Sequence, residues 1–561
     1  MLLLRWAWPL AMFAALAVTI LGDGFNPTDE GLVAAAAQRI LDGQVPHIDF
    51  ISPRPAVSAL LHAPETLLPT PIFLTGRAIA LAQIIGFSVL LGWLILDRSP
   101  ATWGIAAVLG VAASALVNLN TIPLMAWYTT DGLFLAAIGL VTLGAGLRGV
   151  RPGVIGLAFV ALALAAMAKQ SFAPVLIVGL AWVVVASPRD RRLRRVVVAV
   201  GSAAVPMVAY VAWVAANGGW VELVRQLTST QPVLDGELLA PMASPVSAVL
   251  LVAAPTAVVW FRHRRTATES AWLIAPANVA ALVLTVLVLT ILVTSGLRVT
   301  AFWGILLSWL LAAYVVARAI LLRDVDGTAL VVVLLAWMTS LSYGVPVPSL
   351  VAGSVTLVLL HRTWLNGPSL VTGLRMPAPL SIAFGVLLLV AVPAFAVARA
   401  DYIHRDAPRA ELTADLGSLS RELSGIRTNE RTAAYLGAMR ECVETHPADR
   451  VAVLPDNPAV YPAFGWVNPF PLDFFFPPEY AGSRDRLVAS AHDVAADGDY
   501  LVLFQRVRAD SLLNRGIDLS GGDGEHTYDP ALTDELRQIL GAAGEPVSCG
   551  AFDGFQAPAR P

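Results

Sequence analysis

The sequence is poor in charged residues. Of its 561 residues only 14% are Asp, Glu, Lys or Arg, whereas 57% are hydrophobic and the mean hydropathy is +0.70. A soluble chain of this length could not cover its surface with so few charges. The composition therefore excludes an ordinary soluble enzyme and predicts that lipid surrounds most of the chain.

Lysine is almost absent, since Lys169 is the only lysine in a chain that contains 37 lysine and arginine residues. The net charge of -3 is small and unevenly distributed, and it carries little information about partners. We expect the lipid bilayer to be a partner and expect no nucleic acid.

Cysteine is also scarce. Cys442 and Cys549 both lie in the last third of the chain, where they could form a disulfide if that part faces an oxidising compartment. No Walker, Rossmann or zinc-binding spacing is present, and no repeat is evident. The first 21 residues lack a clear small-x-small cleavage site, so we interpret them as an uncleaved first helix.

Thirteen hydrophobic runs have spanning or near-spanning length. They begin near residues 4, 72, 102, 131, 152, 171, 196, 245, 270, 299, 328, 348 and 379. The predicted fold is therefore a membrane all-α bundle of about 13 transmembrane helices over residues 1–399. An outer loop occupies residues 22–71, and a soluble extracytoplasmic α/β domain occupies residues 400–561.

Arginine marks the linkers that we place in the cytoplasm, including PRDRRLRR at 188–195 and RHRR at 262–265. With an odd number of spans, the amino terminus is then cytoplasmic and the carboxy-terminal domain lies outside. This predicts a multi-pass membrane protein with its carboxy-terminal domain outside the cytoplasm. The orientation requires residues 152–187 to form two short helices that turn at AKQSF, because one helix of that length would exceed the bilayer.

In the soluble domain, helical patterns alternate with strand-like runs. ELTADLGSLSRELSGI and NERTAAYLGAMRECVETH have helical periodicity, whereas VAVLP and YLVLFQRV are typical of buried strands.

The outer loop contains an acidic pair, Asp29 and Glu30, directly before an apolar segment predicted to be helical over 31–42 and to end at Gly43. The pair could simply cap this helix and complement its dipole. Alternatively, one carboxylate could act as a general base toward an acceptor hydroxyl, or hold a divalent cation such as Mg or Mn. Spacing alone does not decide between these interpretations.

Further polar residues follow in the same loop. His47, Asp49 and Arg54 lie in the proline-punctuated stretch VPHIDFISPRP, whose prolines restrict the backbone. Each could be a solvated loop residue. Together they place acids and cations at one membrane face, where they could bind substrate.

Lys169 lies between two apolar half-segments, where a lysine costs about 2.5 to 3.5 kcal/mol at mid-membrane. It could extend toward the headgroups, or it could pair with a substrate phosphate together with Arg54 and Arg298. Asp131 could cap its helix, or bind a sugar or metal beside Tyr128.

The string DEGLVAAAAQRILDGQVPHIDFISPRP resembles the first extracytoplasmic loop of bacterial membrane glycosyltransferases of the GT-C superfamily. In those proteins an acidic pair, a short helix, a Gly-x-x-Pro turn and an aromatic-or-His-x-Asp-Phe segment recur. WYTTDGLF, AKQSFAP with its Lys169-Gln170 turn, and DNPAVYPAFGWVNP look like further pieces of these proteins. We therefore expect Tyr128 and Gln170 to be substrate-binding residues as well. The likeness extends to the polyprenyl-phosphate-sugar-dependent group that resembles the dolichyl-phosphate-mannose mannosyltransferases.

The resemblance implies an enzyme that takes a sugar from a polyprenyl-phosphate donor and passes it to a glycan or lipid acceptor on the outer face. In that family the acid nearest the end of the first helix is the usual base, which corresponds to Asp29, with Glu30 as a rival. His47 stands where many relatives have an aromatic residue, and the segment at Arg54 varies among them.

Two other functions fit the composition. A transporter or flippase of lipid-linked saccharide would show inverted repeats and broken helices near the midplane, whereas the polar residues here gather at one face. A non-catalytic assembly protein of the cell envelope would need no base or phosphate site.

Overall fold

The apolar runs fold as α-helices, which satisfy the backbone polar groups within each segment. The computed structural model describes the chain except for residues 1, 120–123, 150, 230–301, 342–347, 366–377, 402, 509–511, 514–518, 520–525 and 560–561. The amino-terminal helices are α1 Leu2–Ile20, α2 Leu32–Leu41, α3 Val57–Leu67, α4 Ile72–Leu96, α5 Ile105–Leu119, α6 Tyr128–Gly149 and α7 Pro152–Ala168. They are followed by α8 Pro174–Ala186, α9 Arg189–Ala216, α10 Trp220–Thr228, α11 Phe302–Leu322, α12 Gly327–Ser340, α13 Ala352–Leu365 and α14 Ala378–Asp401.

Three of the described helices are long and apolar enough to cross a membrane, namely Ile72–Leu96, Tyr128–Gly149 and Arg189–Ala216. Seven further apolar helical stretches are 10–17 residues long within the described part of the chain, fewer than the roughly 20 that a span usually needs. The runs predicted near residues 245 and 270, and the start of the run near 299, lie outside the described residues. The structure therefore shows a mostly helical chain, and the count of thirteen spans is not established by it.

Charged side chains collect at two ends of the helical part. At one end, which we call the arginine end, Arg148 pairs with Asp97 at 3.0 Å and Arg362 pairs with Asp326 at 2.6 Å. The opposite end, which we call the loop end, carries residues 22–71 and the last third of the chain. The helices between them bury one continuous hydrophobic cluster.

The helix break expected between 152 and 187 is confirmed. Helix α7 ends at Ala168, Lys169 adopts an extended backbone, and a single 3₁₀ turn, Gln170–Phe172, leads into α8. Pro174 begins α8 in the position where a missing N–H costs nothing. The break therefore places Lys169 at the loop end.

Helix α2 confirms the helix predicted near 31–42. It ends before Gly43, whose φ of 87° is a left-handed conformation that glycine adopts without strain. Its start differs from the capping interpretation, because the residue before the helix is Gly31 and no side chain caps it. Asp29 and Glu30 are therefore available for other contacts.

The last third contains α15 Glu430–Thr445, α16 Val460–Phe464, α17 Arg484–Asp497 and α18 Pro530–Gly541, with strands β1 Ala414–Asp415, β2 Arg427–Thr428, β3 Arg450–Leu454, β4 Gly498–Gln505, β5 Glu545–Cys549 and β6 Phe552–Ala559. The main sheet has the order β3-β4-β6-β5, in which β3 and β4 are parallel and the other pairs antiparallel. This confirms the strands predicted at VAVLP and YLVLFQRV and the helix predicted from NERTAAYLGAMRECVETH.

The helix predicted from ELTADLGSLSRELSGI is wrong. The segment forms short 3₁₀ turns, because Asp415 and Ser420 accept hydrogen bonds from nearby backbone amides and Gly425 has a φ of 81°. Such local side-chain bonds compete with helix formation.

Residues of the outer loop contribute to the hydrophobic cores on both faces of the main sheet. One face of the sheet buries Val453 and Leu501 together with Phe25 and Phe73 from the amino-terminal part. The other face buries Leu454 with Ile51 of the loop. The last third therefore packs directly on residues 22–73, and the loop is held from both sides.

Cys442 of α15 and Cys549 of β5 form a disulfide, with 5.8 Å between their Cα atoms. The bond links residues separated by 107 positions, so it removes much of the freedom of the unfolded chain.

We predict that replacing both cysteines by serine lowers the free energy of unfolding of the last third by about 4 kcal/mol, because the closed loop is long. Thermal unfolding of the purified protein, with and without reductant, measures the effect. As a control, reductant should not change the unfolding of the C442S/C549S variant, and an equal effect on it would contradict the assignment.

Candidate active site at the loop end

Asp29 contacts a histidine and an arginine that follow α14. Its Oδ2 lies 3.1 Å from Nε2 of His404 and 3.0 Å from the guanidinium of Arg405. Burial raises the pKa of the Asp29 carboxyl, but the hydrogen bond from His404 and the charge of Arg405 outweigh burial, and the pKa lies below its ordinary value. The side chain is 20% exposed, so Asp29 is an ionised carboxylate that remains partly accessible.

Glu30 has a different environment. Its two oxygens accept hydrogen bonds of 3.2 and 2.5 Å from Arg77, which is 3% exposed and also donates to the carbonyls of Leu21 and Gly24. Burial raises the pKa of Glu30, and the charge of Arg77 opposes that shift. Both oxygens are therefore engaged in holding the start of the loop against α4.

A small cavity separates Glu30 and Arg77 from His404, with a volume of about 20 Å³. That volume admits a water molecule but no sugar ring.

Asp131 belongs to a buried polar cluster. Its Oδ1 lies 3.1 Å from Nε2 of His62 and accepts a 2.7 Å hydrogen bond from Gln83. The other nitrogen of His62 contacts Glu65. Burial lowers the pKa of His62, but the bonds to Asp131 and Glu65 outweigh it and raise the pKa to about 10. The imidazole is therefore a cation held between two carboxylates.

Lys169 lies beside Arg54. Its Nζ donates a 2.9 Å hydrogen bond to the hydroxyl of Thr129. Burial and the charge of Arg54 lower the pKa of Lys169 well below its ordinary value, and the charge of Glu479 opposes that shift. In the part of the chain that the structure describes, no carboxylate lies within ion-pair distance of the Lys169 amine. Gln170 donates a 2.6 Å bond to the carbonyl of Pro53, which fixes the turn against the outer loop.

Arg54 joins three elements. It makes two hydrogen bonds to Glu479, of 2.9 and 2.6 Å, and its guanidinium stacks over the ring of Tyr128 at 4.7 Å. The structure thus brings together Arg54, Tyr128, Lys169 and Gln170, four of the predicted substrate-binding residues.

Two further predicted residues have structural roles instead. His47 is fully buried, with Nδ1 3.0 Å from Gln226 and Nε2 2.8 Å from the hydroxyl of Tyr210. Asp49 accepts a 2.6 Å hydrogen bond from the backbone of Val45, which closes a turn. Both ring nitrogens of His47 are occupied, so its assignment to substrate binding is not supported.

Arg298, the remaining predicted phosphate ligand, lies outside the described residues. The suggested metal ligands Asp29, Glu30 and Asp131 do not converge, because each faces its own cationic partner. Within the described ranges no group of three or more His, Cys, Asp or Glu side chains is arranged to hold a metal ion. A divalent cation at these acids is therefore not supported by their placement.

Sequence reasoning missed the partners of these residues. His404, Arg405 and Glu479 lie hundreds of positions from the acids and cations they contact. The sequence did contain a signal that His404 and Arg405 could contact an acid, because they are a basic pair directly after the last hydrophobic run. Glu479 sits in an aromatic stretch without a recognisable motif.

No protein-family model matches the chain, and the curated proteins contain no similar sequence.

The buried His47 predicts a pH dependence of stability. Burial lowers the pKa of His47 to about 4, whereas the unfolded chain binds the proton near pH 6.5. The unfolded state therefore binds more protons below pH 6.5, and stability falls as the pH drops from about 6.5 to 4, by about 1.4 kcal/mol per unit at most. Melting temperatures measured at about pH 7 and pH 5 report this loss.

The matched comparison uses two substitutions. H47Q should lose less stability on acidification than the wild type, since glutamine does not titrate. H492Q, which replaces an exposed histidine of α17, should behave as the wild type. An unchanged acid response in H47Q would show that His47 does not cause it.

Proposed function

We propose that the chain is a polytopic glycosyltransferase of the bacterial cytoplasmic membrane, similar in design to the GT-C enzymes. It transfers a sugar from a polyprenyl-phosphate donor to a glycan or lipid acceptor at the outer face. The three long apolar helices, the shorter apolar helices and the hydrophobic runs outside the described residues together supply the proposed thirteen spans.

The distribution of charge supports this orientation. Arg148 and Arg362 lie at the arginine end, which the positive-inside rule assigns to the cytoplasm. The last third then lies outside, where its Cys442–Cys549 disulfide is chemically stable. Asp29, Lys169 and Arg54 belong to the same outer face.

Lys169 is the observation that carries the proposal. The charged form of this half-buried amine is unfavourable unless an anion binds there, because its described polar contact is a neutral hydroxyl and a second cation lies beside it. It lies where two apolar helices meet the loop, so the headgroup of a membrane lipid would reach it while the chain of that lipid stays in the bilayer. A polyprenyl phosphate has this shape and charge.

Asp29 is the better candidate for the base. Each acid pairs with an arginine, but Asp29 is ionised and 20% exposed, whereas Glu30 is 10% exposed and has both oxygens bonded to the buried Arg77. In the proposed inverting reaction the acceptor oxygen attacks the anomeric carbon, and the bond from that carbon to the phosphate oxygen breaks. The electron pair leaves with the polyprenyl phosphate, which Lys169 and Arg54 stabilise, and the hydroxyl proton passes to Asp29.

We predict that D29N lowers the rate of transfer by a factor of about 100 or more, since loss of a general base typically costs that much. E30Q should keep transfer within about tenfold of the wild type but lower the melting temperature, because it weakens the Arg77 pair. Transfer from radiolabelled polyprenyl-phosphate sugars to membrane acceptors is the measurement.

D42N is the matched control, because Asp42 is an exposed acid at the end of the loop helix α2 and should leave transfer unchanged. Full transfer by a folded D29N variant would refute the role of Asp29, and absence of transfer by the wild type from every donor tested would refute the proposed activity.

We also predict that K169M weakens binding of a fluorescent farnesyl phosphate by about tenfold or more, because a charge-assisted hydrogen bond contributes roughly 1.5 kcal/mol or more. K169R should retain most of the binding. The dissociation constant is measured with the protein in detergent.

R148M removes the same charge from the arginine end and should bind farnesyl phosphate as the wild type does. Equal losses in K169M and R148M would indicate general electrostatic attraction, and wild-type affinity in K169M would refute the phosphate site.

A further inference from the structure

Three consecutive phenylalanines, Phe474 to Phe476, follow Asp473. The middle one is buried, whereas the other two are only half-buried. Phe475 is 3% exposed and packs with Phe470 in the core beneath the sheet. Phe474 and Phe476 are half-buried and belong to none of the hydrophobic clusters of the described residues. Their rings stack on each other with centroids 5.4 Å apart. Core packing explains Phe475 but does not account for its two neighbours.

Tyr528 completes an aromatic surface with this pair. Its ring centroid lies 5.9 Å from that of Phe474 and 5.1 Å from that of Phe476, in edge-on contacts. The Tyr528 hydroxyl donates a 2.8 Å hydrogen bond to Oδ2 of Asp456. Aromatic and polar groups therefore meet at one place.

Asp456 lies just beyond the carboxyl end of β3 and is 2% exposed. His526 approaches its Oδ2 at 3.3 Å, while Oδ1 has no hydrogen-bond partner in the described structure. A buried carboxylate oxygen without a partner is costly and calls for an explanation. The carboxyl ends of parallel strands, such as β3 and β4 here, are where open α/β sheets place their ligands.

We propose that Phe474, Phe476, Tyr528 and Asp456 form a binding site for a neutral sugar ring of a glycan. The C–H faces of a sugar pack against aromatic rings, and its hydroxyl groups donate to a carboxylate, which supplies the partner that Oδ1 lacks. The negative charge of Asp456 disfavours uronic acids and other anionic saccharides.

One ion pair connects the proposed sugar site to the proposed active site. Glu479 lies three residues beyond Phe476 and pairs with Arg54 of the outer loop. A glycan bound here would lie on the outer face of the protein. Binding requires no donor lipid and no transfer step, so this inference goes beyond the proposed function and does not depend on it.

The experiment is an array of short neutral oligosaccharides of glucose, galactose and mannose, probed with the purified full-length protein in detergent. A glucuronic acid oligosaccharide serves as the anionic comparison. We expect binding to at least one neutral saccharide and weaker binding to the anionic one. The double substitution F474A/F476A should weaken binding to the best neutral saccharide by about tenfold.

Two further variants separate the site from general effects. D456N keeps the shape of the side chain but replaces an acceptor oxygen by a donor, and it should also weaken binding. F464A/W466A removes another half-buried aromatic pair, with rings 4.7 Å apart, and should bind normally. The proposal is overturned if no neutral saccharide binds, if F474A/F476A and D456N both bind as the wild type, or if F464A/W466A loses binding equally.

Discussion

The ion pair between Arg77 and Glu30 is the contact on which the rest of the loop end depends. The guanidinium of Arg77 is almost completely buried and donates to the carbonyls of Leu21, Asp23 and Gly24 as well as to both oxygens of Glu30. An isolated charge at this depth would be strongly unfavourable, so each partner requires the other. Because Glu30 is fixed against α4, the preceding residue Asp29 is directed toward His404 and Arg405 at the end of α14.

A second constraint comes from the last third of the chain. Arg39 of α2 makes bonds of 2.9 and 2.6 Å to Asp473, and Arg54 makes a similar double contact with Glu479. Planar two-point contacts of this kind fix orientation as well as distance. With Phe25 and Ile51 in the cores of the sheet, the loop cannot shift without moving the sheet, which keeps its polar side chains in a defined arrangement.

Hydropathy and helix-ending residues were sufficient to predict α2 and strands β3 and β4, because these features depend on local sequence. The break at AKQSF was predicted from the placement of the arginine-bearing linkers and the thickness of the bilayer. The segment 411–426 was predicted incorrectly, since its periodicity is helical but Asp415, Ser420 and Gly425 favour turns. The grouping of Arg54 with Lys169 could be suggested from the sequence. The contact with Glu479 could not, because it depends on how distant segments pack.

The partners of the charged side chains at the loop end help to separate residues with a structural role from residues with a proposed functional role. Arg39 and Arg77 each face a carboxylate, and such neutralised pairs can be explained by packing alone. Lys169 differs, because its described polar contact is the hydroxyl of Thr129 and a neutral side chain could have made the same contact at lower cost. If the chain keeps its single lysine at this junction for a reason, the reason is an anion that approaches from the membrane, and that is why the phosphate of a lipid carrier is the substrate group we infer.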